Sequence, residues 1–152
     1  MRIAVSADER VHLVDEILED LEDRGHEVVY FGPEPGGEAV DWPDVTLEAV
    51  SRVTGHEADQ AIVMCWTGTG CSIVANKMPG IRAALCHDAE TARGARIWNH
   101  ANVLALSLRA TSGPVVKEIL DRWFDTPLSE DEWNLRQMAR VREIEEAGGE
   151  GG

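Results

Sequence analysis

The chain has 152 residues, and 14 Lys and Arg against 28 Asp and Glu give it a formal net charge of −14. This length, with 43% hydrophobic residues, is typical of one globular domain. Nucleic acids and anionic membranes bind basic faces, so the acidic composition argues against both as partners. An anionic ligand would need a local cluster of arginines, because the chain as a whole repels it.

The start of the chain and its cysteines suggest where the protein works. The apolar run over residues 1–6 is too short for a signal peptide or a membrane-spanning helix, so we expect no targeting segment. An odd number of cysteines (Cys65, Cys71 and Cys86) in a chain of this size favours a reducing cytoplasm over disulfide bonds. There is no CxxC motif and no histidine pair at helical spacing, so we predict neither a metal site nor a cofactor.

Strand and helix patterns alternate along the chain. Short apolar runs predict five strands, at residues 2–6, 27–31, 60–64, 82–86 and 102–106. Amphipathic segments predict helices at residues 11–25, 43–53, 72–77, 89–97, 114–124 and 130–146. This alternation predicts an α/β fold, a Rossmann-like three-layer αβα sandwich with a five-stranded parallel sheet. We expect one domain over residues 1–146 and a disordered tail over residues 147–152.

Ligands of parallel α/β sheets bind beyond the carboxyl ends of the strands. The segments that follow the predicted strands are therefore the candidate sites: Asp8 and Glu9, residues 65–70, His87 and Asp88, and residues 107–109.

The loop after the third strand, Cys-Trp-Thr-Gly-Thr-Gly at residues 65–70, is the most informative segment. Its glycines leave backbone amides free to hold an anion or a developing oxyanion. Cys65 lies in the positive field of those amides, which favours its thiolate. The alternative interpretation is a structural turn with a buried cysteine. We interpret Cys71 and Cys86 as small core residues.

Three other motifs fail at the residue that would carry the chemistry. A nucleotide-binding phosphate loop needs Lys after its last glycine, and Gly70 is followed by Cys71. A cysteine phosphatase needs arginine at that same position. A response-regulator receiver needs a phospho-acceptor aspartate after the third strand, where this chain has Cys65.

A longer pattern extends beyond this loop. Residues 75–84, Ala-Asn-Lys-Met-Pro-Gly-Ile-Arg-Ala-Ala, lead through a Pro-Gly turn into the fourth strand. With residues 65–70, Asn-Val-Leu at 102–104 and Asp-Trp-Pro at 41–43, the chain resembles the ribose-5-phosphate isomerase type B and galactose-6-phosphate isomerase family. The resemblance covers roughly residues 1–144.

The resemblance implies an aldose–ketose isomerase, an intramolecular oxidoreductase of carbohydrate and pentose phosphate metabolism. It implies that Cys65 removes the C2 proton of a small phosphorylated or otherwise anionic sugar and that an enediolate forms. The residues that it implies as catalytic are Cys65, Thr67, Gly68, Gly70 and Asn99. Those that it implies as substrate-binding are Asp8, Glu9, Trp42, Trp66, Thr69, Trp98, Arg109, Arg136 and Arg140.

The resemblance also implies an assembly. In this family the site forms between two subunits, so a homodimer or a dimer of dimers is expected, with the C-terminal helix exchanged or packed at the dimer interface. Arg109, Arg136 and Arg140 match the family's phosphate-binding arginines, which would supply the local cationic cluster. Without the resemblance, Arg136 and Arg140 would be interpreted as part of a solvated salt-bridge face.

Four positions depart from the family pattern. Glu9 stands where a phosphate-binding histidine is usual, and Gln137 replaces the histidine after the first C-terminal arginine. Trp66 follows the base where glycine is usual. Trp98 occupies the position of the ring-opening histidine.

Three explanations of Trp98 stay open at this point. The substrate is a short sugar, such as a tetrose phosphate, that closes no stable ring through its phosphorylated oxygen. Alternatively, it is another sugar derivative that stacks on Trp66 and Trp98. In the third explanation, the chain is one half of a heteromeric isomerase, and the missing groups come from a related partner subunit. A diverged, non-catalytic sugar-binding subunit is a further form of this explanation.

Overall fold

A computed structural model describes residues 1–149 of the chain. The strands are β1 (Arg2–Ala7), β2 (Glu27–Phe31), β3 (Gln60–Cys65), β4 (Ala83–Leu85) and β5 (Val103–Ser107). The helices are α1 (His12–Asp23), α2 (Trp42–Thr54), α3 (Thr69–Ala75), α4 (Ala89–Ile97), α5 (Gly113–Asp125) and α6 (Glu132–Gly149).

All strand pairs in the five-stranded sheet are parallel, and the strand order is β2-β1-β3-β5-β4. The chain moves from β1 to β2 on one side and then returns to place β3 on the other side of β1. This reversal of direction opens a crevice at the carboxyl ends of β1 and β3, where α/β proteins bind their ligands. Asp8 follows β1 and Cys65 ends β3, so the topology brings these two residues to the same crevice.

Helices cover both faces of the sheet, and each face has its own apolar core. On one face, residues such as Val5 and Leu104 pack against α1, α4 and α5. On the other, residues such as Val63 and Ala105 pack against α2 and α3. β3 is buried along its whole length, as expected for a central parallel strand. The predicted three-layer α/β fold with five parallel strands is confirmed.

Three of the boundaries that differ from the prediction have a clear structural cause. α3 begins at Thr69 rather than at residue 72, because Gly68 adopts a left-handed conformation (φ 76°) that turns the chain directly into the helix. β4 spans only Ala83–Leu85, since the backbone amide and carbonyl groups of Arg82 bond to Asn102 before the ladder begins. α1 ends at Asp23, and Gly25 takes a positive φ beyond it.

The C-terminal helix also differs from the prediction. α6 continues to Gly149, so the first three residues of the predicted disordered tail are helical; residues 150–152 lie outside the described residues. Its buried side chains are those of Asn134 and Met138, whereas Trp133, Val141 and Ile144 are exposed. Within residues 1–149, no helix is both long enough and apolar enough to cross a membrane.

Candidate active site

The loop between β3 and α3 is fixed by backbone contacts to the segment after β5. The Leu108 amide donates to the Cys65 carbonyl oxygen at 2.9 Å, and the Arg109 amide donates to that of Trp66 at 3.0 Å. A Cβ atom at Gly68 would lie 2.9 Å from both the Leu106 carbonyl carbon and the Ser107 nitrogen. Position 68 therefore requires glycine for its positive φ and also for its close approach to β5.

The Cys65 thiol lies at the centre of this loop and is almost fully buried. The Cys71 amide donates to its Sγ atom at 3.5 Å. Hydrogen bonding by the Cys71 side chain is the largest cause that lowers the pKa of Cys65 to about 5. The amides of Cys71, Gly68 and Gly70 lower this pKa further, while burial opposes them. These surroundings favour the thiolate form of Cys65, which is the form able to act as a base or a nucleophile.

Asp8 faces the same crevice. Burial raises the pKa of its carboxyl group above 3.8, and the negative charges of Cys65 and Glu9 raise it further. Its Oδ1 atom is buried and has no hydrogen-bond partner among the described residues. A buried acceptor of this kind is suited to a sugar hydroxyl. Glu9 follows Asp8 in the chain, and it is close enough for its negative charge to act on the Asp8 carboxyl group.

Aromatic and hydroxyl side chains line the entrance of the loop. The Trp42 ring packs against Gly70, where an added Cβ would lie 3.1 Å from its Cε3 and Cζ3 atoms. The Thr67 and Thr69 hydroxyl groups are 2.7 Å apart and share one hydrogen bond. Trp66 is exposed beside Cys65. With Arg109, these residues form what we call the cysteine edge of the sheet.

The remaining predicted site residues lie at the opposite end of the sheet. Trp98 and Asn99 follow α4 and precede β5, whose register aligns Val103 with Ala61 and Ser107 with Cys65. The length of β5 alone separates them from the cysteine edge by about 13 Å. A single chain therefore does not bring Asn99 to Cys65.

The arginines of α6 belong to this opposite end as well. The Ser129 amide, just before α6, donates to the Ile97 carbonyl oxygen at 3.0 Å. Further along the helix, Glu145 accepts from the amide of Gly80, which precedes β4. The helix that carries Arg136 and Arg140 thus runs past the amino ends of β4 and β5. We call this end, with Trp98 and Asn99, the helix edge.

Two openings in the surface have linings that do not include Cys65. A cavity of about 630 Å³ lies on the helix edge between β4 and α4, and its lining includes Trp98 and Asn99. A groove of about 540 Å³ between α1 and α5 is lined by four acidic side chains and one lysine, so its net negative charge would repel a phosphorylated ligand. In the part of the chain that the structure describes, no group of three or more His, Cys, Asp or Glu is arranged to hold a metal ion.

Sequence reasoning missed the role of two residues near Cys65. Cys71, interpreted as a core residue, is indeed buried, but it also hydrogen bonds to Cys65. The Ser107 hydroxyl donates to the Trp66 carbonyl oxygen at 2.9 Å and accepts from the Ala110 amide at 3.1 Å, which braces the loop. Position in the chain gave a usable signal for both: Ser107 ends a strand beside β3, and Cys71 lies in the first turn of the next helix.

Fold and site together define a class of protein: a parallel α/β protein with a buried cysteine of lowered pKa at the carboxyl ends of its strands. The family model described as Ribose/Galactose Isomerase matches residues 3–144. The chain belongs to this family of sugar-phosphate isomerases.

Three known proteins illustrate the range of similarity. The D-erythrulose-4-phosphate isomerase of Pectobacterium atrosepticum is 37% identical over 82% of this chain and 83% of its own. A galactose-6-phosphate isomerase subunit of Clostridium acetobutylicum is 32% identical over 95% of this chain and 83% of its own. The structure of Clostridium thermocellum ribose-5-phosphate isomerase B aligns with a TM-score of 0.90 at 38% identity, covering 97% of this chain and 99% of that one.

Proposed function

We propose that the protein interconverts an aldose phosphate and its ketose isomer, with the Cys65 thiolate as the base. The observation that carries this proposal is the position of the Cys65 Sγ atom, which accepts from the Cys71 amide at 3.5 Å in a loop whose glycine conformation is fixed. These surroundings lower the pKa of Cys65 to about 5. A proton next to a carbonyl group is a weak acid. Its removal needs a well-placed base and preformed donors where negative charge develops, and this loop combines the two.

The reaction balances with the groups at the cysteine edge. The Cys65 thiolate takes the C2 proton of the aldose, and the electron pair of that bond forms the enediolate. The resulting Cys65 thiol returns its proton to C1, while the O2 proton moves to O1. Amides of the loop over residues 68–70 stabilise the enediolate oxygen, and the Thr67 hydroxyl hydrogen bonds to the reacting oxygens. The Asp8 carboxyl group, whose pKa is raised, accepts hydrogen bonds from the neighbouring sugar hydroxyl groups.

The phosphate site requires two chains. Arg109 is at the cysteine edge, whereas Arg136 and Arg140 are carried by α6 at the helix edge, so no single chain brings the three guanidinium groups together. We propose a homodimer in which the helix edge of one subunit completes the cysteine edge of the other. The exposed side chains of Trp98, Val141 and Ile144 support this arrangement, because large apolar groups in water favour burial at an interface.

A short-chain substrate is the version that we favour. Trp98 replaces the ring-opening histidine implied by the family resemblance, so a sugar that stays open would need no substitute for it. A relative that is 37% identical is named a D-erythrulose-4-phosphate isomerase, which supports a tetrose phosphate. We place the reaction in the cytoplasm, because Cys65, Cys71 and Cys86 are free thiols and Cys65 works as a thiolate.

The second candidate function is one subunit of a heteromeric isomerase. A relative covering 95% of this chain is named as a galactose-6-phosphate isomerase subunit, and Glu9 and Trp98 are substitutions that a partner subunit could compensate. In that case, ligand binding would raise the melting temperature of this chain alone, but turnover would require the related subunit.

Exchange of the substrate C2 hydrogen with solvent deuterium tests the proposal. Wild-type protein is incubated in D₂O with four-, five- and six-carbon sugar phosphates, and NMR follows the C2 proton. We expect exchange that is fastest with a tetrose phosphate and lost by about 10²-fold or more in Cys65→Ala. Cys86→Ala, which removes a buried thiol elsewhere, should exchange like wild type. Exchange retained in Cys65→Ala would show that Cys65 is not the base. No exchange by wild type with any of these sugars would show that the protein is not an isomerase on its own.

A further inference from the structure

Two threonine hydroxyl groups lie side by side in the loop between β3 and α3. Thr67 precedes Gly68, and Thr69 follows it as the first residue of α3. Their Oγ1 atoms are 2.7 Å apart, so one hydroxyl group donates a hydrogen bond to the other. Both residues are exposed to solvent. The proposed mechanism uses the Thr67 hydroxyl group and gives that of Thr69 no role.

The backbone holds this pair of side chains in place. Gly68 has a left-handed conformation and contacts β5, so the turn between the two threonines has a fixed shape. Thr69 also lies in a helix, where a β-branched side chain has few rotamers. Thr67 precedes the helix, so its side chain is less restricted. Thr69 is therefore the anchored member of the pair, and its position fixes the orientation of Thr67.

Neighbouring carbonyl groups decide the direction of the hydrogen bond. A threonine in a helix commonly donates to the carbonyl oxygen three or four residues before it, and for Thr69 these oxygens belong to Trp66 and Cys65. Two backbone amides already donate to the Cys65 oxygen, at 2.9 and 3.2 Å. An amide and a serine hydroxyl group donate to that of Trp66, at 3.0 and 2.9 Å. A carbonyl oxygen has two lone pairs, so both acceptors are filled and the Thr69 proton is left for Thr67.

We propose that Thr69 is a positioning residue, whose hydroxyl group donates to the Thr67 Oγ1 atom and directs the Thr67 proton at the reacting oxygen of the sugar. A hydroxyl group has one proton and two lone pairs. Because Thr67 accepts from Thr69, its own proton is free to donate. When the enediolate forms, this proton meets an oxygen of growing negative charge. The first hydrogen bond polarises the second and strengthens it.

This role rests on the proposed function, since Thr67 must contact the reacting oxygens. The hydrogen bond from Thr69 matters most where negative charge develops, so its loss lowers kcat and leaves KM nearly unchanged. The family resemblance implies instead that Thr69 binds the substrate directly. Loss of a contact that the bound substrate already makes would raise KM.

The test is a double-mutant cycle with Thr67→Val, Thr69→Val and the variant that carries both substitutions. Valine keeps the branched shape of threonine and removes its hydroxyl group. Steady-state isomerisation of a tetrose, a pentose and a hexose phosphate gives kcat and KM. We expect kcat to fall about three- to tenfold in Thr69→Val and about ten- to a hundredfold in Thr67→Val. The double variant should be no slower than Thr67→Val, because Thr69 acts only through Thr67.

Two further variants serve as controls. Thr69→Ser keeps the hydroxyl group and should recover most of the lost kcat. Thr54→Val removes a hydroxyl group that donates to the Ser51 carbonyl oxygen at the end of α2, and it should behave like wild type. Should Thr69→Val not fold, Thr69→Ala removes the same hydroxyl group and carries the same expectation.

The outcomes separate this role from the proposed function. Losses that add in the double variant, or a rise in KM as the main effect of Thr69→Val, would overturn the proposal, because Thr69 would then contact the substrate itself. An unchanged kcat in Thr69→Val, or an equal loss in Thr69→Ser, would overturn it as well. These results would leave the isomerase intact. No isomerisation by wild type of any of the three sugars would reject the proposed function and this role with it.

Discussion

The two ends of the sheet differ in how much of the site one chain completes. At the cysteine edge, backbone contacts to β5 hold the loop, and Gly68 admits no side chain. At the helix edge, Trp98 is exposed and Arg140 forms an exposed ion pair with Glu143 at 2.8 Å. The cysteine edge is organised for chemistry within one subunit. In the dimer that we propose, the helix edge supplies binding groups to the site of the other subunit.

This difference has a physical reason. A base that removes a weakly acidic proton needs a fixed dielectric environment and fixed donors, which buried backbone provides. A phosphate is recognised by long arginine side chains, which can reach across an interface. Their guanidinium groups are weakly hydrated, so little free energy is lost when they leave water to bind the phosphate. A subunit interface can thus carry the phosphate site, whereas the proton-transfer site belongs inside one chain.

The largest effect should come from mixing two inactive variants with defects at opposite edges. Cys65→Ala disables the cysteine edge, and the double substitution Arg136→Ala with Arg140→Ala disables phosphate binding at the helix edge. Each alone should be inactive. Subunits mixed by refolding should regain about a quarter of wild-type activity, because random pairing makes half the dimers mixed and leaves one intact site in each. The measurement is the isomerisation rate at saturating substrate.

A same-edge mixture serves as the control for this experiment. Here Cys65→Ala subunits are mixed with Asp8→Ala subunits, so both defects lie at the cysteine edge. No dimer then contains an intact site, and activity should stay at background. Recovery in the control equal to that of the first mixture, or an inactive first mixture, would contradict a site shared between two subunits.

A smaller effect should separate the glycine of the rigid loop from an ordinary turn glycine. Gly68 and Gly25 have nearly equal φ values, 76° and 80°, but only at Gly68 would a Cβ meet backbone atoms of β5. Alanine at Gly25 should lower the free energy of unfolding by about 1 kcal/mol from backbone strain. Alanine at Gly68 should lower it by about 3 kcal/mol, because the clash adds to the strain. Urea denaturation measures both, and equal losses would show that the contact with β5 is unimportant.

The smallest effect is the pH dependence expected near neutrality. Since the proposed mechanism needs Cys65 ionised, kcat/KM should fall about tenfold per pH unit below pH 5 and stay flat from about 6 to 8. The lowered folded-state pKa also links ionisation to stability. Its contribution is complete above the ordinary value of 9.0, declines as the pH falls, and is lost below about 5. In Cys65→Ala this part of the pH dependence of stability should vanish; its persistence would show that another group causes it.

Much of the fold could be predicted from local pattern. The apolar run of β3 and the amphipathic spacing of α1 predict these elements, because a buried parallel strand and a half-buried helix need those periods. The start of α3 could not be predicted as well. It depends on the left-handed conformation of Gly68, which contact with β5 imposes from a distance of about forty residues along the chain.

The candidate site divides in the same way. The sequence by itself determined the glycine-rich loop, the cysteine before it and the arginines, because residue type decides which groups can ionise, donate or bind phosphate. Only the tertiary structure decided which of them meet. Strand order brought Asp8 to Cys65, the start of α3 directed the Cys71 amide at the Cys65 sulfur, and the length of β5 separated Asn99 from both. Distances of this kind depend on how the sheet is assembled, and spacing along the chain does not encode them.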